Sequence, residues 1–231
     1  MQQLNKLKAA LQAQANPEKA RILARFFKTG VGEYGEGDQF LGITVPKQRE
    51  IAKQFVALAL NDIGQLLQSP FHEERLTSLL ILVAKYPKKP EEIYNFYIQQ
   101  FDKINNWDLV DLTASKIVGA HLFNNDRSII KNWAKSEHLW TRRIAIVATH
   151  YFIRQNQFYD TLKVSKILIN DSHDLIHKAV GWMLREVGKR DQNAEETFLK
   201  KHYQHMPRTM LRYAIERFPE DLRQQYLKGT I

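Results

Sequence analysis

Arg143-Ile144-Ala145-Ile146-Val147-Ala148-Thr149-His150 opens on a polar residue and runs on through small and apolar helix formers. Four other segments share that grain: Arg75-Leu-Thr-Ser-Leu-Leu-Ile-Leu82, Asp111-Leu-Thr-Ala-Ser-Lys-Ile-Val118, Lys178-Ala-Val-Gly-Trp-Met-Leu-Arg185 and Thr209-Met-Leu-Arg-Tyr-Ala-Ile-Glu216. Their starts are 36, 32, 35 and 31 positions apart, a mean of about 33.5. A period of that size is one helical hairpin per repeat, which predicts an all-α fold, an α-solenoid. Candidate outer helices lie between the repeated segments, at Glu91 to Phe101, Arg127 to Lys135, Tyr159 to Ile169 and Glu195 to Tyr203. The repeated helices would line a concave face and bring Asp111, Arg143 and Lys178 toward one another.

The rest of the chain agrees with that reading. Leu4, Leu7, Leu11 and then Ile22, Leu23, Phe26, Phe27 fall at helical steps, and no run alternates long enough for a strand. Asn16-Pro17, Ser69-Pro70 and Met206-Pro207 read as helix starts. With 231 residues, 44% hydrophobic and 26% charged, the chain fits one folded repeat domain over 1–231. No 18-residue apolar run and no signal-like start are present, so a cytoplasmic location away from the membrane is expected. The absence of cysteine excludes disulfides, thiolate metal sites and cysteine nucleophiles.

Glycine locates the one long loop. Thr29-Gly-Val-Gly-Glu-Tyr-Gly-Glu-Gly-Asp38 holds four of the ten glycines, and the loop spans 29–39. It contains a literal G-x-G-x-x-G, yet no strand precedes it, and Glu33, Glu36 and Asp38 would repel a pyrophosphate. A surface loop joining two helices, with room for a lid or DNA-contacting role, is the reading retained.

Lys and Arg number 34 against 25 Asp and Glu, a formal charge of +9. Residues 126–190 alone carry 12 basic and 6 acidic side chains, two-thirds of the excess. A localised basic stretch points to a polyanion, and the expected concave face would be basic. Against that background, Trp107 and Asp111 sit four apart on one helical face, Trp182 is followed by Arg185 and Glu186, and Trp140 stands three before Arg143.

A carboxylate and indole faces attract positive charge, while Arg143 and the surrounding cations attract DNA phosphates. The chemistry that needs both is rupture of the N-glycosidic bond of an alkylated purine. The base is already cationic and leaves without a general acid, and the deoxyribose oxocarbenium needs one carboxylate. A fixed electrostatic interaction of this kind is worth about 3 kcal/mol, roughly a hundredfold in rate. The pairs His173/His177 and His202/His205 lack a third ligand, so neither metal nor cofactor is expected. Asp108 points about 100° from Asp111 and is read as capping or pairing locally, and Glu186 as an ion-pair partner of Lys189 and Arg190.

Asn106-Trp-Asp-Leu-Val-Asp111, Trp140-Thr-Arg-Arg143, Ala179-Val-Gly-Trp-Met-Leu-Arg-Glu186, Pro207-Arg-Thr-Met-Leu-Arg-Tyr-Ala-Ile-Glu216 and Phe40-Leu-Gly-Ile43 together resemble the AlkD family of DNA alkylation-repair glycosylases. The resemblance runs in order from about Asn16 to Phe218. It implies a HEAT-like superhelix and a monofunctional glycosylase. The implied substrates are cationic N3- and N7-alkylpurines such as 3-methyladenine and 7-methylguanine in duplex DNA, excised without base flipping on a face with no deep base pocket. It also implies that Asp111 is the catalytic aspartate, that Trp107 and Trp182 contact the deoxyribose, and that Arg143 holds the backbone.

Trp140, Arg142, Lys178, Arg185, Arg208 and Arg212 complete the expected DNA contacts of a monomer, nucleoid-associated when bound. Two features depart from the family's best-known form: Phe26 stands where that form has a tyrosine, and the 29–39 loop is longer. The alternative is a non-catalytic HEAT-like nucleic-acid-binding module, which would gain affinity if Asp111 were neutralised. A protein-binding scaffold would show no salt-sensitive DNA affinity.

Overall fold

The computed structural model describes residues 2–231, and these divide into two compact units, one ending at Thr113 and the other spanning Ala114–Ile231. Among the described residues the regular structure is helical throughout, with one isolated parallel bridge between Gln39 and Phe71. The all-α reading is correct.

The first unit contains α1 (Gln2–Gln12), α2 (Pro17–Phe26), α3 (Val45–Gln54), α4 (Leu60–Leu67), α5 (His72–Lys85), α6 (Pro90–Ile98) and α7 (Trp107–Asp111). At its centre is α5, on which α3 and α4 pack; every residue from His72 to Leu82 is buried. Four of these are ionisable, and each has a partner outside the helix. Glu73 accepts backbone amides of the 41–43 segment, Glu74 pairs with Lys8 at 3.0 Å, and Arg75 pairs with Asp38 at 2.6 Å. His72 is bracketed by two aspartates, described below. Burial of polar groups is tolerable here because each of these charged side chains meets a partner.

The second unit opens with a π-helical turn, Ser115–Gly119, running into α8 (Ala120–Leu122). It continues through α9 (Ile129–Trp133), α10 (Leu139–Ala148), α11 (His150–Arg154), α12 (Tyr159–Ile167), α13 (Asp174–Gly188), α14 (Gln192–His202), α15 (Arg208–Ala214) and α16 (Glu220–Lys228). The long α13 packs on α10, α14 and α15. It meets α15 at backbone distance: a Cβ on Gly181 would lie 2.4 Å from the Met210 carbonyl oxygen and 2.5 Å from the Tyr213 Cβ. Any side chain there would force the two helices apart.

The repeated segments fall on α5, α10, α13 and α15, and the outer candidates on α6, α9, α12 and α14. The segment from Asp111 behaves differently. Here the α-helix stops at Asp111, because the Thr113 hydroxyl takes the Leu109 carbonyl at 2.5 Å and meets the Tyr97 hydroxyl at 2.7 Å. Helix starts also differ in detail. Asn16 caps α2 through Lys19 N at 2.9 Å with Pro17 in the first turn, as expected. Pro70 instead lies two residues ahead of α5, and Pro207 directly precedes α15.

Candidate functional site

In the first unit, Trp107 and Asp111 occupy the two ends of α7, both half-buried. They share the rim of a cavity of about 480 Å³ whose lining is almost wholly apolar. Helix α2 contributes Ile22, Leu23 and Phe26; Phe27, Phe40 and Ile43 come from the segments beyond it; His72 and Glu73 come from α5. A half-open cavity at this position has no counterpart in the sequence reading. It exists because α2 has no buried residue: its apolar stripe faces the cavity without filling it.

One wall is a stack of rings. Phe27 lies nearly parallel to Phe40 and to Trp107, with centroids 5.2 Å away in each case, and Phe40 stacks on the His72 imidazole at 4.8 Å. Phe26 meets Trp107 edge-on at 5.9 Å. The opposite wall is pinned by Glu73, whose carboxylate accepts Leu41 N at 2.9 Å, Gly42 N at 2.8 Å and Ile43 N at 3.2 Å. Gly42 has φ +85° and its backbone touches that of Asn16, a position no side chain could occupy.

Behind the rim lies a buried charge network that sequence reasoning missed. His72 Nε2 is 2.8 Å from Asp108 Oδ2, and His72 Nδ1 is 3.4 Å from Asp38 Oδ2, which also takes Arg75. Burial pushes the imidazole down. The charge and hydrogen bond of Asp108 and the hydrogen bond of Asp38 outweigh it, against opposition from Arg75, and the pKa is raised to about 9. Burial likewise raises Asp38, but His72, Arg75 and Asn105 more than reverse it, so it stays below the usual carboxylate range. Asp108 takes a local backbone amide, Leu109 N at 2.8 Å, as expected and also pairs across the fold with His72, and Asp38 is a buried ion-pair partner rather than an exposed loop acid.

The remaining sequence candidates lie in the second unit. Arg143 is 5% exposed and donates to the carbonyl of Leu175 at the start of α13. Trp182 is half-buried, donates Nε1–H to Glu186 at 3.2 Å and lies 5.7 Å from the His150 ring. Trp140 is 5% exposed and belongs to the interior.

The cations differ in how far they are engaged. Arg142 is spent inside the unit, on Asp171 at 2.6 Å and on the Ser136 and Glu137 carbonyls at 2.9 and 2.8 Å. Lys178 pairs with Asp174 at 2.7 Å, and Arg185 with Glu186 and Glu216. Arg208 and Arg212 are exposed, the former donating to Leu227 O at 2.7 Å. As expected, Glu186 takes Lys189 at 2.6 Å. His173 caps α13 by accepting from Leu175 N at 3.1 Å.

An indole and a carboxylate one turn apart on the lining of an apolar cavity make a place that favours a positively charged group. Residues 7–218 match the family model described as DNA alkylation repair enzyme, and the chain belongs to that family.

Solved structures share the fold. A predicted DNA alkylation repair enzyme from Enterococcus faecalis superposes with a TM-score of 0.73 at 20% identity, covering 90% of this chain and 98% of that one. AlkD2 from Streptococcus mutans gives 0.59 at 18% identity, covering 87% and 99%. The smu.31 protein from Streptococcus mutans UA159 gives 0.57 at 19% identity, covering 87% and 100%. No curated protein matches the chain.

Proposed function

We propose that the protein is a monofunctional DNA glycosylase that hydrolyses the N-glycosidic bond of cationic N3- and N7-alkylpurines, 3-methyladenine and 7-methylguanine among them, in duplex DNA. The observation that carries this reading is the placement of Asp111 and Trp107 on one rim of an aromatic-walled cavity. The C1′–N bond breaks with its electron pair going to the base, which neutralises the base's positive charge. Asp111 stabilises the oxocarbenium left on the sugar and orients a water molecule, whose oxygen bonds to C1′ and whose proton is lost to solvent. Trp107 faces the deoxyribose, and Trp182, in the second unit, is a further DNA-contacting residue.

The cavity fits excision without base flipping. An everted base is held by polar groups that read its edge as well as by stacking, and several polar groups lining the cavity are already engaged: Gln48 by the Ile43 carbonyl, Glu73 by three amides, His72 by its aspartates. An apolar wall of this kind suits a sugar better than a base edge.

Arg143, Lys178, Arg185, Arg208 and Arg212 serve the DNA backbone, with Trp140 and Arg142 supporting them from within the unit. The protein acts as a monomer in the cytoplasm, on the nucleoid. The test is release of 7-methylguanine from a duplex oligonucleotide, read as alkali-labile abasic sites, for wild type and Asp111→Asn. We expect wild type to release the base and the variant to be at least about tenfold slower while still binding. Binding of duplex DNA with release of neither lesion by wild type would leave a nucleic-acid-binding module instead.

A further inference from the structure

Residues 126–190 hold most of the chain's surplus positive charge, and the helices of the second unit share it unevenly. On α10 and α13 the cations are engaged: Arg142 on Asp171, Lys178 on Asp174, Lys189 on Glu186. On α9 and α12, which pack side by side, Lys131, Lys163 and Lys166 have no carboxylate within ion-pair distance among the described residues. Acids close to them in the chain are spent elsewhere. Asp126 accepts the backbone amide and the hydroxyl of Ser128 at 2.9 and 2.6 Å, and Asp160 takes Arg127 at 3.1 Å.

These lysines surround an exposed ring. Tyr159, Lys163 and Lys166 follow at steps of four and three, so they share one face of α12, while Thr161, Val164 and Ser165 on the opposite face are buried. Tyr159 is 64% exposed, and the Lys163 and Lys131 ammonium groups lie over its ring, 5.4 and 5.7 Å from the centroid. A ring so placed contributes little buried area to the fold. The positive field extends to the end of α14, where burial first and then Lys166, Lys201 and His205 hold the His202 imidazole below its ordinary pKa.

We propose that this face of α9 and α12 docks an acidic segment of a partner protein, an extended peptide whose carboxylates pair with Lys131, Lys163 and Lys166 and which lays one apolar side chain against Tyr159. Charge complementarity supplies the occupant. The ring itself favours a peptide over a nucleic-acid strand. A base stacks on the open face of an aromatic ring, whereas the Lys131 and Lys163 ammonium groups lie over this one. Arg127, the arginine beside the patch, has no fork to offer a phosphate, being folded onto the Leu122 and Phe123 carbonyls and the Phe152 ring. The inference is independent of the glycosylase reading, because none of these residues lines the cavity or belongs to the expected DNA contacts.

The experiment is fluorescence anisotropy of the full chain with the labelled peptide Glu-Asp-Glu-Leu-Glu-Asp-Glu, beside a labelled undamaged DNA duplex and a labelled single-stranded thymidine decamer. Wild type should bind the peptide, more weakly as NaCl rises. Lys163→Gln/Lys166→Gln should bind it at least about fivefold more weakly and Tyr159→Ala about threefold, with duplex affinity unchanged in both. Lys6→Gln/Lys88→Gln, an equal reduction of charge in the first unit, should bind the peptide as wild type does. No peptide binding by wild type, wild-type affinity in either variant of the face, or an equal fall in the control overturns the inference. Loss of duplex or decamer affinity in the lysine variant assigns the face to nucleic acid and overturns it as well.

Discussion

His72 and Asp108 form a buried ion pair at 2.8 Å that joins the first turn of α5 to the first turn of α7. Asp108 is flanked by Trp107 and stands three residues before Asp111, so the pair sets where both candidate site residues lie. His72→Gln leaves Asp108 and Asp38 buried without the imidazolium, a loss of about 3 kcal/mol. Single-turnover excision should fall at least tenfold, while affinity for undamaged duplex holds. Asp108→Asn, which keeps the shape of the side chain, should reproduce the rate loss with less destabilisation. Wild-type rates in both variants, with urea midpoints lowered, would reduce the pair to a purely structural role.

Glu195 gives the stability a pH dependence. Burial, reinforced by Glu196 and opposed by Arg185, pushes its pKa up to about 9, and its Oε1 has no hydrogen-bond partner among the described residues. The folded chain holds this carboxyl neutral while the unfolded chain ionises it above its ordinary 4.5, so stability drains away as pH rises from about 4.5 to 9. His72, raised from 6.5 to about 9, works in the same direction: its contribution is whole below pH 6.5 and lost through pH 9. Glu195→Gln should therefore melt at least about 3 °C higher than wild type at pH 8 and with the same midpoint near pH 4.5. Calorimetry at the two pH values decides, and equal midpoints at pH 8 would sink the assignment.

Gly181→Ala should be destabilising by about 1–3 kcal/mol, since the new methyl group meets the Met210 carbonyl at 2.4 Å and helix backbone cannot step aside as a side-chain tip can. Ordinarily alanine for glycine inside a helix is a gain. A denaturant midpoint at or above that of wild type would show that the backbones of α13 and α15 do not meet at Gly181.

Arg142 and Arg212 should separate two roles that look alike in the sequence. Arg142→Gln gives up the Asp171 pair and two carbonyl hydrogen bonds, and should lower stability by about 2 kcal/mol while leaving the salt dependence of DNA binding alone. Arg212→Gln should do the opposite, removing about 0.9 from the salt slope with an unchanged melting midpoint. Exchange of these outcomes would place Arg142 on the DNA.

How much of this could be read in the chain depended on distance along it. The apolar periodicity of α5, α10, α13 and α15 is local, and so is the four-residue step from Trp107 to Asp111. The break after Asp111 was hidden, because it depends on Thr113 meeting a tyrosine sixteen positions earlier. His72, Glu73 and Asp38 were hidden for the same reason: each finds its partner about 30 or more residues away. A lone histidine beside glutamates gives no local sign of becoming a buried cation. The cavity was missed because α2 shows the stripe of a packed helix, and only its neighbours reveal that nothing fills the space beneath.

Helix α7 is five residues long, too short to persist through its own hydrogen bonds. The proposed reactive carboxylate is thus carried on a segment held by tertiary contacts, the buried Leu109 and Val110 and the anchors at His72 and Tyr97. On gentle warming we expect the proposed activity to fade over a range where the helical signal is still intact, and to return on cooling.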